Sequence, residues 1–242
     1  MAGRTAQTDQ AEFDSHATDY DAELMQGLAV TGETKDYFAQ GRVSWLAGRL
    51  KAYGVAPQSC LDFGCGTGGG RHWLMDGLGV TSYFGYDPSA ASLEIARKAS
   101  AAVSGVSWSA DIGNVADASI DLAFCNGVFH HIPIEQREAA VQAVWRALRP
   151  GGWFAFWENN RWNPIVHWMM SRVPFDRDAS MLFPGQARRL LGGGGFEVMM
   201  TDYFFIFPAA LKVLRPLEAS LCKLPLGGQY MVLARKPEGL AQ

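Results

Sequence analysis

The chain is short of several things, and each shortage removes a class of function. It holds only four cysteines in 242 residues, Cys60, Cys65, Cys125 and Cys222, and no two stand at Cys-x-x-Cys spacing. That spacing marks most zinc and thioredoxin-type sites, so no metal or redox centre is expected. Cys60, Cys65 and Cys125 lie in or beside strand-like runs and read as small buried apolar residues. A basic excess is also missing. The 21 Lys and Arg are scattered, and they stand against 24 Asp and Glu for a formal net charge of -3. Nucleic-acid binders usually concentrate cations on one surface, so no nucleic-acid partner is expected. No apolar run approaches the roughly 20 residues of a membrane span. The first dozen residues are polar and carry no signal-peptide core. The expectation is a cytoplasmic protein without a membrane span.

What is present is an ordinary globular composition, 48% apolar and 19% charged, with an alternating pattern of elements. Apolar residues recur at helical spacing from Asp36 to Tyr53, and Gly54 and Pro57 close that helix. Strands are predicted at Ser59–Phe63, Ser82–Tyr86, Val106–Ser109, Ile120–Cys125 and Trp153–Trp157. Helices are predicted at Gly68–Leu78, Ser89–Ala102 (Ser89 as N-cap), Ile134–Leu148 and Pro184–Leu191. Short joints between strands and helices signal a parallel sheet covered on both faces. The apolar runs Phe196–Phe207 and Gln229–Ala234 add two final strands around a helix-like segment, Ala209–Leu221, that carries Pro216. The aromatic stretch Tyr203, Phe204, Phe205, Phe207 and Pro208 reads as core or as the contact of a homodimer.

The densest signal is Leu61-Asp62-Phe63-Gly64-Cys65-Gly66-Thr67-Gly68, a strand that ends in a glycine turn. Asp87 ends the next strand. Glycines let a backbone approach a ligand closely, and a second carboxylate can accept hydrogen bonds from ribose hydroxyls. Gly64-x-Gly66-x-x-Gly69, with Asp87 about 20 residues on, also satisfies the dinucleotide fingerprint. An NAD(P)-binding oxidoreductase is therefore the competing reading. Three features weigh against it: Asp62 two residues before the first glycine, Asp111-Ile112 after a short third strand, and Leu148-Arg149-Pro150-Gly151-Gly152 after the fourth helix.

These residues resemble the first motif, the adenine-contacting pair and the turn before the fifth strand of the class I S-adenosylmethionine-dependent methyltransferases. The resemblance covers about residues 13–160. It implies an α/β fold, a Rossmann-like seven-stranded mostly parallel sheet with the last strand antiparallel, in a three-layer α/β/α sandwich. It implies S-adenosylmethionine as cofactor and S-adenosylhomocysteine as product. Gly64, Cys65, Gly66 and Gly68 would approach the methionine part. Asp62 would order that loop and the cofactor amine, and Asp87 would hold the ribose with Pro88 and Ser89 beside the adenine. Asp111 and Ile112 would contact the adenine, and Asn126, Gly127 and Val128 would line the floor. Phe13–Asp21 resembles the F-D-x-x-A-x-x-Y-D opening of small-molecule methyltransferases, which makes Tyr20 a candidate for the methionine carboxylate. The chain then reads as one domain over 1–242: a helical cap at 13–57, the cofactor core at 58–158, an acceptor-side lid at 159–195 and C-terminal strands at 196–242.

On the acceptor side an amine or hydroxyl needs a base, and His130-His131 follow the fourth strand. Trp157-Glu158-Asn159-Asn160-Arg161-Trp162-Asn163-Pro164 resembles the E-H-N-P-x-N-P wording of one methyltransferase subgroup, with Asn159-Asn160-Arg161 in place of H-N-P. Glu158, Asn159, Arg161 and Trp162 are the acceptor-binding candidates. No Asn-Pro-Pro-Tyr run follows the fourth strand, which disfavours the subgroup that methylates nucleic-acid amino groups. The expected acceptor is an oxygen, nitrogen or carbon atom of a small molecule: a sugar, a lipid-linked compound or a secondary metabolite. A protein that binds the cofactor without turnover is the remaining alternative.

Overall fold

The computed structural model describes residues 31–171 and 179–239. Among these, seven strands form one sheet in the order β3-β2-β1-β4-β5-β7-β6. β1 (Ser59–Phe63), β2 (Ser82–Tyr86), β3 (Val106–Ser109), β4 (Ile120–Asn126) and β5 (Leu148–Asn159) pair in parallel. β7 (Gln229–Arg235) enters antiparallel between β5 and β6 (Glu197–Phe204). This is the expected Rossmann-like α/β sheet with its last strand reversed. It departs from the 3-2-1-4-5-6 order usual for dinucleotide folds.

The period-2 alternation of the strands separates two cores. From β4, Ala123 and Cys125 point to one face, and Leu122 and Phe124 to the other. From β5, Phe154 and Phe156 join the first core, while Trp153, Ala155 and Trp157 join the second. Helices α4 (Arg137–Ala147) and α6 (Pro184–Gly193) cover the first through Val141, Val144, Ala187 and Leu191. Helices α1 (Lys35–Ala52) and α2 (Arg71–Leu78) cover the second through Val43, Leu46, Leu50 and Leu74. Each large apolar side chain so buried contributes about 1.5–3 kcal/mol. α3 (Ala90–Ala99) follows β2, and the Ser89 hydroxyl caps it by accepting from the Ser92 N–H at 3.1 Å.

A buried carboxylate fastens α1 to the far edge. Asp202 of β6 has no exposed surface, and its Oδ2 accepts from Trp45 Nε1 at 3.0 Å and Arg49 Nε at 2.7 Å. Lys223 closes the set on Oδ1.

Several element boundaries differ from the sequence reading, three of them for a reason visible in the chain. α2 starts at Arg71 rather than Gly68, because Gly68 holds φ +75°, outside the right-handed helical region. β5 starts at Leu148 rather than Trp153. The Pro150-Gly151-Gly152 turn is absorbed as an irregularity in the pairing with β4, and Gly151 N–H donates to Lys236 O. The segment expected as a helix over Ala209–Leu221 is a 3₁₀ stretch, Ala209–Leu217, followed by the short α7 (Glu218–Leu221). Pro216 brings no amide hydrogen to sustain α-helical pairing there. Among the described residues no helix is long and apolar enough to cross a membrane.

Candidate functional site

The carboxyl ends of β1, β2 and β4 converge on the glycine turn. Gly64 and Cys65 donate their N–H groups to Tyr86 O at 2.8 and 3.0 Å, tying the turn to the end of β2. Gly64, Gly66 and Gly68 hold φ of +80°, +52° and +75°, a region costly for residues with a Cβ. A Cβ at Gly64 would sit 2.3 Å from Val128 Cγ2, and one at Gly68 2.5 Å from the Trp108 ring. A Cβ at Gly66 would meet nothing within 4 Å. The open side of the turn is therefore at Gly66, and Gly66 N–H donates to Asp87 Oδ2 at 2.8 Å. Asp87 Oδ1 accepts from Ser89 N–H at 2.9 Å. Pro88 is exposed beside it. A glycine wall with room before it and a carboxylate at its rim is a cradle that fits a nucleoside-bearing cofactor.

Behind the turn lies a second carboxylate. Asp62 is buried, and its Oδ2 accepts from the Tyr83 hydroxyl at 2.6 Å. Burial pushes its carboxyl up to about 7; the Tyr83 hydrogen bond opposes this, nearby Asp87 adds to it, and Arg42 opposes it. Burial likewise pushes the Cys65 thiol well up, so it stays protonated and packs beside Gly85.

Asp111 and Ile112 follow β3. Asp111 is exposed and caps a 3₁₀ turn, with Oδ1 accepting from Gly113 N–H at 2.8 Å. Ile112 packs against the core. At the end of β4, Gly127 holds φ +65° and donates to Trp157 O at 2.9 Å. Val128 presses on Gly64, so the β4 loop and the glycine turn share one wall.

His130 and His131 pack ring to ring at 4.1 Å. His130 is 4% exposed, and its Nδ1 lies 2.6 Å from Glu158 Oε2. Glu158 Oε1 accepts from Phe129 N–H at 2.8 Å and His130 N–H at 3.3 Å. The loop is clamped from the other side as well. Ser180 N–H donates to His130 O at 2.8 Å, and buried Arg137 donates to Ile132 O at 2.9 Å and Ser180 O at 2.7 Å. Glu158, expected to touch the acceptor, has no exposed surface and turns both oxygens inward to this loop.

Asn126 and Asn159 are joined by a residue the sequence reading did not single out. Gln229 Nε2 reaches Asn159 Oδ1 at 3.2 Å and Asn126 Oδ1 at 3.5 Å, while its Oε1 accepts from Arg42 Nη1 at 2.9 Å. The first residue of β7 thus links α1 to the ends of β4 and β5. Only its β7 register opposite Asn159 would have pointed to it. Arg161 donates to Met181 O at 3.1 Å and covers the Phe183 ring at 4.4 Å. Trp162 packs on Phe183 at 4.9 Å but stays 62% exposed. These two residues brace the segment before α6, beginning at Met181, the neighbour of the Ser180 that clamps the His130 loop. Tyr20 lies outside the described residues.

Residues 61–156 match the family described as a methyltransferase domain. Over 97 residues the chain is 38% identical to a malonyl-[acyl-carrier protein] O-methyltransferase of Enterobacter lignolyticus, covering 40% of this chain and 37% of that protein. The chain thus spans well under half the length of that curated relative. A solved S-adenosylmethionine-dependent methyltransferase from Mesorhizobium loti aligns with a TM-score of 0.58 at 21% identity, over 81% of this chain and 99% of the other. A geranyl diphosphate C-methyltransferase from Streptomyces coelicolor aligns with a TM-score of 0.58 at 15% identity, over 80% and 79%. At such identities these structures establish the likeness of fold.

Proposed function

We propose that this chain, a class I S-adenosylmethionine-dependent methyltransferase through its domain at 61–156, methylates an oxygen, nitrogen or carbon atom of a small-molecule acceptor. The observation that carries this reading is the glycine turn, which is open at Gly66, where the Gly66 N–H donates to the Asp87 carboxylate. Gly64, Cys65, Gly66 and Gly68 would hold the methionine end of the cofactor, with Asp62 behind them. Asp87, Pro88 and Ser89 would hold the ribose and adenine, and Asp111 and Ile112 the adenine rim. Asn126, Gly127 and Val128 would form the floor. When bound, the cofactor supplies an electrophilic methyl group on a sulfonium and leaves as S-adenosylhomocysteine.

The acceptor must lose a proton as the new bond forms, and His130 suits that task. Glu158 holds Nδ1, so the ring enters each turnover already oriented. His131 packs against it and completes the same wall. Asn159 with Gln229 would position the acceptor, and Arg161 and Trp162 would border its entrance.

The test is a calorimetric titration with S-adenosylmethionine, S-adenosylhomocysteine and NADH, followed by an acceptor screen. Micromolar binding of the first two and none of NADH is expected. Binding of NADH alone would return the turn to the dinucleotide class.

A further inference from the structure

A surface on the acceptor side is more apolar than methyl transfer itself requires. No residue of the 3₁₀ stretch Ala209–Leu217 is buried. Leu211, Val213, Leu214 and Leu217 are 46%, 80%, 36% and 52% exposed, and Leu224 and Leu226 beyond them 48% and 52%. The strip is joined to the segment after β5. Asn163 Nδ2 donates to Leu226 O at 3.1 Å, and Asn160 Nδ2 to Pro225 O at 3.1 Å and Gly227 O at 2.8 Å. That segment ends in α5 (Pro164–Met170), which adds the exposed Ile165 and Trp168, with Trp162 just before it. Isolated exposed leucines are ordinary, but a joined group of this size is not.

The charge around these side chains is sorted. Residues 159–171 contain Arg161 and no carboxylate, and residues 205–228 contain Lys212, Arg215 and Lys223 against Glu218 alone. Glu218 is buried and accepts from Phe205 and Phe207 N–H groups at 3.1 and 3.0 Å. Arg215 pairs with Glu33, and Lys223 with the buried Asp202, both at 2.5 Å. With Glu33, Asp202 and the second partner of Asp202, Arg49, counted as well, five cations meet three carboxylates, so this rim is positive on a chain of net charge -3. Lys212 is exposed between Leu211 and Val213. Apolar side chains interleaved with cations and bordered by tryptophan match the boundary between lipid headgroups and acyl chains. A second copy of the same strip suits it less, because a two-fold contact would set like charges against each other.

We propose that this rim seats on an anionic lipid bilayer. The leucines and Val213 enter the headgroup boundary, and the exposed Lys212 meets a lipid phosphate. The docking stands independently of the methyltransferase reading. Only its consequence, that the acceptor site receives a lipid-borne molecule, rests on that reading.

The test is flotation of the full chain with vesicles of phosphatidylcholine alone and with one third phosphatidylglycerol, for the parent and Val213→Glu/Leu217→Glu. The parent should float with the anionic vesicles, at least about tenfold more strongly than with neutral ones, and raised salt should weaken it. The double variant should lose at least about tenfold in partitioning at unchanged Tm. Absence of flotation, or equal flotation of the variant, overturns the proposal. So does a dimer in sedimentation equilibrium that the double variant dissociates. S-adenosylhomocysteine titration of the same preparation reports on the methyltransferase reading separately: flotation without cofactor binding would keep the docking and lose the reaction.

Discussion

His130 and Glu158 are 28 residues apart in the chain, yet His130 Nδ1 and Glu158 Oε2 lie 2.6 Å apart with both side chains buried. The same carboxylate accepts from the Phe129 and His130 backbone N–H groups. It therefore fixes both the ring and the loop that carries it, as a positioning residue. Glu158→Gln keeps an oxygen for the backbone donors but loses the charge-assisted bond. We expect kcat to fall about 10–100-fold, with an altered pH profile, while S-adenosylhomocysteine affinity changes less than about twofold. His130→Asn should cost about 10²–10⁴-fold in kcat. A Glu158→Gln variant with parental kcat and pH profile would leave the pair a purely structural brace.

Asp87 offers a second separation of binding from chemistry. Its two oxygens already receive Gly66 and Ser89 N–H groups, which aim the carboxylate along the open face of the turn. Asp87→Ala should weaken cofactor binding about 100-fold, since hydrogen bonds to a charged group are worth about 1.5–3 kcal/mol each. Calorimetry measures this directly, and unchanged affinity would remove Asp87 from the site.

The raised Asp62 carboxyl predicts a pH signature. The folded chain holds its proton up to about 7, whereas the ordinary value is 3.8. Between those values the folded state binds more protons than the unfolded state. The group therefore costs stability increasingly as pH rises through the window, and the cost levels off above about 7. Asp62→Asn retains an acceptor for the Tyr83 hydroxyl and removes the titration. Urea denaturation at pH 4, 5.5 and 7.5 should show the variant gaining on the parent as pH rises, by at most about 4 kcal/mol. A difference independent of pH would mean that Asp62 titrates normally.

The sequence pattern carried the local parts of this architecture well. β1, β2 and β3 fall on the residues their apolar runs predict, because turn residues bound each run and alternation decides the faces. Asp62, the glycines and Asp87 were singled out for the same reason: each lies at a strand end. What stayed hidden depends on pairings distant in sequence. Asp202 meets Trp45 across 157 residues, and Gln229 meets Arg42 across 187. No window of the chain encodes those contacts; they follow from β7 entering between β5 and β6. Glu158 was visible as a polar residue after β5, but its inward direction depends on where the His130 loop folds back. Arg161 and Trp162 were visible too, and their partners Met181 and Phe183 come from the other side of the segment.

The glycine turn allows a comparison of two substitutions with the same added methyl group. Gly64 and Gly66 both hold positive φ, so an alanine at either pays about 1–2 kcal/mol of backbone strain. At Gly64 the new Cβ also lies 2.3 Å from Val128 Cγ2, so the β4 loop must shift as well. At Gly66 it enters open space, the side proposed for the cofactor. Gly64→Ala should therefore lose about 3 kcal/mol or more of stability, and Val128→Ala should restore part of it in the double variant. Gly66→Ala should lose only the strain, about 1–2 kcal/mol, but about tenfold or more in cofactor affinity, since the methyl group occupies space the ligand needs. Denaturant unfolding and calorimetry on the same samples separate the two effects. If Gly66→Ala bound the cofactor as the parent does, the open side of the turn would not be where the cofactor lies.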